Sequence, residues 1–255
     1  MRTRAARLSR IAFAAVLLLA LAVPAHAQDA SADATEAALD AYLEGSGSLR
    51  TELIPLFLAI TVLSVAPGIL IMVTCFPFMA IVFSFLRQAL GLQHAPPAMM
   101  LTSLALFLTF FVMEPVFTDA WEGGIAPLMD GEVDEAQGLR AAAAPIADFM
   151  AARTPEETVD RLAEAARKEV APGETPLSLL VPAFMLSEIT RAFQIGFAIF
   201  LPFLAIDLVV AAVLMAMGMM MVPPAVVALP FKLAFFVVAD GWVRLTEALL
   251  RGYLG

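Results

Sequence analysis

The chain has 255 residues, of which 61% are hydrophobic and 15% are charged, whereas an ordinary soluble domain is about half apolar and about a quarter charged. The net charge of −9 argues against a nucleic-acid partner, because phosphate binding requires a basic face. Two histidines and one cysteine exclude an internal disulfide and a zinc site built only from these residue types. The composition therefore predicts a membrane protein.

The first 27 residues have the organisation of an export signal. Four arginines precede a short apolar core, Ile11–Val23, and the small residues that signal peptidase accepts follow it at Ala25 and Ala27. The alternative is a transmembrane anchor, but the core of 13 residues is too short to cross about 30 Å of hydrocarbon as a helix. We therefore predict a signal peptide over residues 1–27, cleaved between Ala27 and Gln28, and a mature amino end in the periplasm.

The next two predicted segments are a lead-in and a helical hairpin. Residues 28–51 are rich in Ala, Asp, Glu, Ser and Gly, which is typical of a mobile acidic segment. Residues 52–118 form the predicted first helical hairpin. Its first apolar stretch is too long for one simple crossing, so we expect it to bend or break at Pro67-Gly68 and at Pro77. Its second stretch, Ala98–Thr118, has the length of one crossing.

A pattern, G-x4-P-P-A, occurs twice in the chain. Each copy lies between two apolar stretches, and a proline in the first turn of a helix loses no hydrogen bond. The pattern predicts two hairpins of one design, and the open alternative is two unrelated turns, because proline pairs are common between membrane helices. The residues of the two predicted turns are Gly91, Pro96 and Pro97 in the first hairpin and Gly218, Pro223 and Pro224 in the second.

Residues 119–176 separate the two hairpins and differ from them in character. Over 119–175 there are 13 acidic and 5 basic residues, which predicts a small, mostly helical region outside the membrane. A mature chain that starts outside returns there after one hairpin, so we expect this acidic region in the periplasm. Residues 177–255 are the predicted second helical hairpin. The expected fold is an all-α membrane protein with two long helical hairpins and about four apolar helical segments.

The second hairpin carries charged side chains where lipid is expected. A charge at the centre of a spanning helix costs about 2.5–3.5 kcal/mol, so each one needs a partner or water. Spacing allows two local pairs, one between Glu188 and Arg191 and one between Asp240 and Arg244. Lys232 has no acid within four residues, so its partner, Glu188 or Asp207, must lie on another helix or another subunit. Three interpretations are open: the six charges neutralise one another within the chain, they line a polar path, or they lie at a seam between subunits. Their number and their spread along the hairpin favour the seam.

Methionine is concentrated in the loop of the second hairpin. The residues are Met215, Met217, Met219, Met220 and Met221. Methionine is flexible and polarizable, so a ring of such loops from several subunits would form a deformable apolar constriction that excludes ions by dewetting. The alternative is ordinary core filling, which the position of the cluster in a turn disfavours.

The sequence carries no motif for catalysis. It has no Gly-rich phosphate loop, no paired metal-ligand spacing and no Ser/His/Asp set. Cys75 lies in an apolar stretch and is expected to be inert packing. His94 falls in a predicted turn between helices, where a surface or capping role is expected. We predict that the chain is not an enzyme and binds no cofactor or metal.

Several of these stretches closely resemble the FliP family of type III protein-export gate components. The matching segments are Val82–Gly91, Leu104–Met113, Phe193–Phe203, Met217–Pro224, Leu229–Leu233 and Asp240–Trp242. These segments come from both hairpins, and their order along the chain agrees with that in the family. One departure is Thr74–Phe78, which reads Thr-Cys-Phe-Pro-Phe where the family usually reads Thr-Ser-Phe-Thr-Arg. The missing arginine puts any ion pair expected there in doubt.

The resemblance implies a homo-oligomer of about five copies, assembled with the FliQ and FliR gate subunits and associated with the FlhA and FlhB export-gate proteins. This assembly would sit in the inner membrane, largely at periplasmic level within the flagellar basal body, and admit unfolded flagellar subunits to the export channel. By position, Met219, Met220 and Met221 would form a gasket around the substrate, with Met215 and Met217 beside it. Glu188 and Lys232 would pair across the seam between neighbouring subunits.

Two other functions are weighed against the flagellar export gate. The first is the virulence-secretion homologue of the same gate, whose members look shorter and generally lack the cleaved leader and the acidic lead-in. The second is an ion-coupled small-molecule transporter that would use Asp207, Glu188 and Asp240. Such transporters usually have more helices than two hairpins provide. The flagellar interpretation is therefore favoured.

Overall fold

The computed structural model of the chain describes residues 47–92, 96–168, 175–219 and 221–254. Within these ranges every regular element is helical, which confirms the predicted all-α class. The predicted signal peptide and most of the predicted lead-in lie outside the described residues. Contacts divide the chain into two compact units, with the boundary between Ile69 and Leu70.

The helices follow one another in chain order with short connections. They are α1 (Gly47–Met72), α2 (Phe76–Ala89), α3 (Ala98–Ala120), a π-helical turn (Trp121–Ile125), α4 (Ala126–Met129), α5 (Glu135–Arg153), α6 (Glu156–Ala165), α7 (Leu177–Ala216), α8 (Pro224–Val238) and α9 (Gly241–Leu254).

The first apolar stretch breaks at one of its two predicted places. Helix α1 continues through Pro67-Gly68, so no break occurs there. In an apolar run, a continued helix satisfies most of the backbone groups that a break would leave unpaired. The helix ends at Met72, and Pro77 lies in the first turn of α2, where its missing N–H costs nothing. Thr74 Oγ1 closes the connection by donating a hydrogen bond of 2.9 Å to the carbonyl of Ile71.

Two helical stretches in the described part of the chain are long and apolar enough to cross a membrane, Ala98–Met129 and Leu177–Ala216. Two bent helix pairs also pass this test, Leu63–Met72 with Phe76–Ala89 and Pro224–Val238 with Gly241–Tyr253, so the described residues hold two to four candidate spans. Helix α7 has 40 residues and therefore extends about 60 Å at 1.5 Å per residue, about twice the hydrocarbon thickness.

Helix α2 lies at the centre of the core. Its buried side chains recur at helical spacing, and they are Phe78, Met79, Val82, Phe83, Leu86 and Ala89. They pack with residues of α3, α7 and α9 in two adjoining apolar clusters. Gly196 of α7 allows a close approach, because a Cβ at this position would lie 2.4 Å from the ring of Phe85. The second hairpin thus packs directly against the first.

The acidic region is mostly helical and continues from the first hairpin. The helix that was expected to end at Thr118 runs to Ala120 and then through the π-helical turn into α4. Asp134 caps α5 by accepting a hydrogen bond of 2.7 Å from the backbone N–H of Gln137. Met150 of α5 is buried with Phe184 of α7. The region is therefore packed onto the long helix, and its periplasmic location stays a prediction.

Candidate functional site

Both predicted hairpin turns end a helix in the same way. Gly91 and Gly218 have φ angles of +72° and +73°, a left-handed conformation that glycine adopts without steric cost. In each turn the glycine N–H bonds to the carbonyl three residues back, and the next N–H bonds to the carbonyl five residues back. This pair of bonds defines a Schellman motif. The next helices then begin beside the proline pairs, at Ala98 and Pro224.

The methionine-rich loop of the second hairpin is exposed. Met215 and Met217 at the end of α7 and Met219 and Met221 in the loop all present much of their side chains to the surface, and Met221 is 97% exposed. Met220 lies outside the described residues. Core filling within a single chain therefore does not explain the cluster, because these side chains are not in its core. The gasket role of the loop stays a prediction.

Lys232 lies in the core where the two hairpins meet. Its Nζ donates to Asp207 Oδ2 of α7 at 2.6 Å and to the carbonyl oxygen of Ala89 at 2.9 Å. Ala89 is the last residue of α2, and a cation there stabilises carbonyls that have no partner within the helix. Of the two acids that the sequence offered as partners, the structure brings Asp207, on another helix, to Lys232. This ion pair and hydrogen bond join α2, α7 and α8.

Glu188 is fully buried on α7 and has a different partner. Tyr253 of α9 donates its hydroxyl proton to Glu188 Oε2. Arg191 Nη1 lies 3.9 Å from Glu188 Oε1, so the expected local pair is present, although it is long. The pairing of Glu188 with Lys232 across a subunit seam stays a prediction, and both side chains already have partners inside the chain.

Two arginines hold the carboxyl-terminal helix next to this buried acid. Arg153 Nη2 and Arg191 Nη2 both donate to the carbonyl oxygen of Gly252, at 3.0 and 3.2 Å. The guanidinium of Arg153 also lies 3.6 Å from the centre of the Tyr253 ring, an arrangement that favours the cation electrostatically. Burial lowers the pKa of Arg153 below its usual value, because desolvation disfavours the charged form. No pattern in the sequence had pointed to Arg153 or Tyr253.

The local pair that the spacing allows between Asp240 and Arg244 does not form in the described part of the chain. The spacing rule requires a continuous helix. Asp240 instead has a left-handed φ of +51° and lies in the turn between α8 and α9, which meet at a bend of 60°. Its side chain is therefore outside the helix that carries Arg244.

The remaining candidate residues take no part in these contacts. Cys75 is fully buried in the apolar core around α2. His94 lies outside the described residues. Across the described ranges, no group of three or more His, Cys, Asp or Glu side chains is arranged to hold a metal ion.

The sequence matches known proteins over nearly its whole length. A model of the FliP family matches residues 59–249, which include the Lys232 ion pair, the Met-rich loop and Glu188. The chain belongs to the FliP family. Among its FliP relatives, the flagellar biosynthetic protein of Rhizobium meliloti (strain 1021) is 44% identical over 249 residues, covering 96% of this chain and 99% of the relative. That of Agrobacterium fabrum (strain C58 / ATCC 33970) is 46% identical over 93% of this chain and 96% of the relative. That of Bacillus subtilis (strain 168) is 46% identical over 78% of this chain and 91% of the relative.

Proposed function

We propose that this chain is a non-catalytic subunit of the flagellar type III protein export gate in the bacterial inner membrane. Its membership of the FliP family and the names of these three relatives, which are flagellar biosynthetic proteins, support a flagellar role. They favour this proposal over the virulence-secretion homologue and the small-molecule transporter. Helices that are long and apolar enough to span a membrane support the location.

The exposed Met-rich loop is the observation that carries the proposal. It connects two apolar helices and presents Met217, Met219 and Met221 outside the core of the chain. The helices in the described ranges of one chain are too few to enclose a channel for an unfolded polypeptide. In a closed ring of copies, these loops would meet around the axis and form an apolar gasket, because methionine side chains reshape around what they contact and exclude ions by dewetting.

The ring in this proposal contains about five copies together with the FliQ and FliR gate subunits, and it contacts FlhA, FlhB and the unfolded flagellar substrates. Large exposed apolar side chains on α7 and α8, such as Phe197, Leu208 and Val226, support burial against neighbouring helices or lipid. At the proposed seam Asp240 and Arg244 are exposed, and within the two ion pairs the accessible members are Arg191 and Asp207, whose side chains are 39% and 32% exposed. Glu188 and Lys232 lie behind them and hold them in place.

Deleting Met219–Met221 should leave the assembly intact but make cells leak small ions several-fold faster, because the gasket loses its apolar contact. The measurement is membrane permeability to sodium in cells that express the variant, with the mass of the purified assembly checked in parallel. A variant with leucine at the same three positions is the matched control, since leucine keeps the constriction apolar and should keep it closed. An intact deletion assembly with unchanged permeability would refute the gasket.

The proposed signal peptide has a separate test. If residues 1–27 are removed on export, amino-terminal sequencing of the protein purified from membranes should begin at Gln28. An Ala25→Leu, Ala27→Leu variant should retain the leader, because signal peptidase requires small residues at these positions. Recovery of Met1 from the unaltered protein would show that the segment stays attached as an anchor.

A further inference from the structure

A polar cavity of about 380 Å³ opens where the end of α5, the start of α6 and one face of α7 meet. Its lining contains two guanidinium groups, three hydroxyls and one amide, and no carboxylate. The polar residues are Arg153, Thr158, Ser187, Thr190, Arg191 and Gln194. Ser187 already donates its hydroxyl proton to the carbonyl oxygen of Ala183, and the other donors are suited to an oxyanion.

The two arginines keep hydrogen-bonding capacity for a ligand. Each uses one terminal nitrogen on the carbonyl of Gly252, whereas a guanidinium has five N–H donors. Among the residues that the structure describes, Arg153 has no carboxylate within 4.0 Å, and Arg191 has only Glu188 at 3.9 Å. Glu188 also accepts a hydrogen bond from Tyr253. One buried acid therefore faces two cations, and the cavity carries excess positive charge.

An apolar groove continues from the polar cavity along α7. It is shallow and open and is lined by residues of α7 alone, Ile189, Thr190, Phe193, Gln194 and Phe197, so that it shares Thr190 and Gln194 with the polar cavity. From Thr190 to Phe197 the helix advances about 10 Å at 1.5 Å per residue. The groove lies within a helix that is apolar enough to span a membrane. A cationic end and an apolar end are thus joined on one helix face.

We propose that this composite site binds a phospholipid. Its phosphodiester would accept hydrogen bonds from Arg153 and Arg191, which suit the fork geometry of phosphate oxygens. One acyl chain would lie along Phe193 and Phe197, which are both exposed in the chain. Inorganic phosphate shares the charged chemistry but has nothing to place in the groove. The proposal goes beyond the gasket role, because the site lies away from the Met-rich loop, and it places the lipid at the proposed seam, which shares Arg191 and Phe197 with it.

The test is native mass spectrometry of the full-length protein, delipidated in a neutral detergent and titrated with phosphatidylglycerol or with inorganic phosphate. The double variant Arg153→Gln, Arg191→Gln should bind phosphatidylglycerol at least about tenfold more weakly, since it loses charge-assisted hydrogen bonds. Phe197→Ala should also weaken lipid binding without changing any response to phosphate. The matched control is Arg161→Gln, which alters an exposed arginine paired with Glu157 outside the cavity and should bind lipid normally.

Three results would overturn the proposal. The first is equal lipid binding by the wild type and the double variant. The second is competition by inorganic phosphate together with normal lipid binding by Phe197→Ala, which would indicate that the site recognises the anionic group alone and not the acyl chain. The third is a second copy of the chain that covers Phe193 and Phe197 and leaves no lipid bound. If circular dichroism shows that the double variant is unfolded, lipid binding by Phe197→Ala tests the proposal instead. The Phe197 side chain is 62% exposed and supports no core contact.

Discussion

Replacing Lys232 with alanine should lower the free energy of unfolding by about 3 kcal/mol, the low end of the range for breaking a buried ion pair. Asp207 Oδ2 loses the donor at 2.6 Å, and Asp207 Oδ1 already lacks a hydrogen-bond partner among the described atoms. The carbonyl of Ala89 loses its donor as well. The low end applies because the Asp207 side chain is 32% exposed. Denaturant titration of the purified protein in detergent measures the loss.

The matched control removes an ion pair at the surface. Arg251 pairs with Glu247 at 3.4 Å, and both side chains are mostly exposed, so Arg251→Ala should change the free energy of unfolding by less than about 1 kcal/mol. Removing both buried charges, as Lys232→Met with Asp207→Leu, should restore part of the stability that Lys232→Ala loses. If Lys232→Ala and Arg251→Ala have equal effects, the buried pair does not stabilise the fold. Loss of subunit association beyond the loss of stability would instead support a role at the seam.

Replacing Tyr253 with phenylalanine should destabilise the chain by about 2 kcal/mol, the usual loss when a buried charged acceptor is left without its donor. The ring stays, so its edge contact with Phe78 and the cation above its face are kept. Only the hydrogen bond to Glu188 is removed. Glu188 then keeps only the electrostatic influence of Arg153 and of Arg191, whose Nη1 lies 3.9 Å from Glu188 Oε1.

A double-mutant cycle separates this contact from general damage to the carboxyl-terminal helix. Tyr253→Phe, Glu188→Gln and the double variant are compared in the same denaturant titration. Residues in direct contact should show a coupling free energy of at least about 0.5 kcal/mol. Additive losses in the two single variants would show that the hydroxyl and the carboxylate do not stabilise each other. Hydrogen exchange near Gly252 should rise in Tyr253→Phe, because α9 is held less firmly.

The positions of helices and turns followed largely from local patterns in the sequence. Gly91 and Gly218 end helices because glycine suits the left-handed conformation, and that preference acts within a few residues. The break near Pro77 also follows from a local preference, because proline is favoured in the first turn of a helix. At Pro67-Gly68 the helix does not break, although proline and glycine favour a break locally. The apolar surroundings favour a continued helix.

The partners of the charged groups depended on packing that the sequence does not encode locally. The absence of an acid near Lys232 on its own helix predicted a partner elsewhere, but only the packing of α8 against α7 selects Asp207. Tyr253 reaches Glu188 from 65 residues away, and no spacing rule predicts such a contact. Asp240 and Arg244 form no ion pair in the described part of the chain because the chain turns at Asp240, whose positive φ is uncommon for a residue other than glycine.

The hydrogen bond from Lys232 to the carbonyl of Ala89 has a mechanical consequence for the Met-rich loop. The loop leads into α8, and Lys232 lies two turns into that helix, while Ala89 lies at the end of α2 next to the first hairpin turn. If α8 shifts along its axis when the loop is pushed aside, this bond must either break or pull the tip of the first hairpin with it. The tips of the two hairpins are thus mechanically coupled, so that a passing polypeptide would move both.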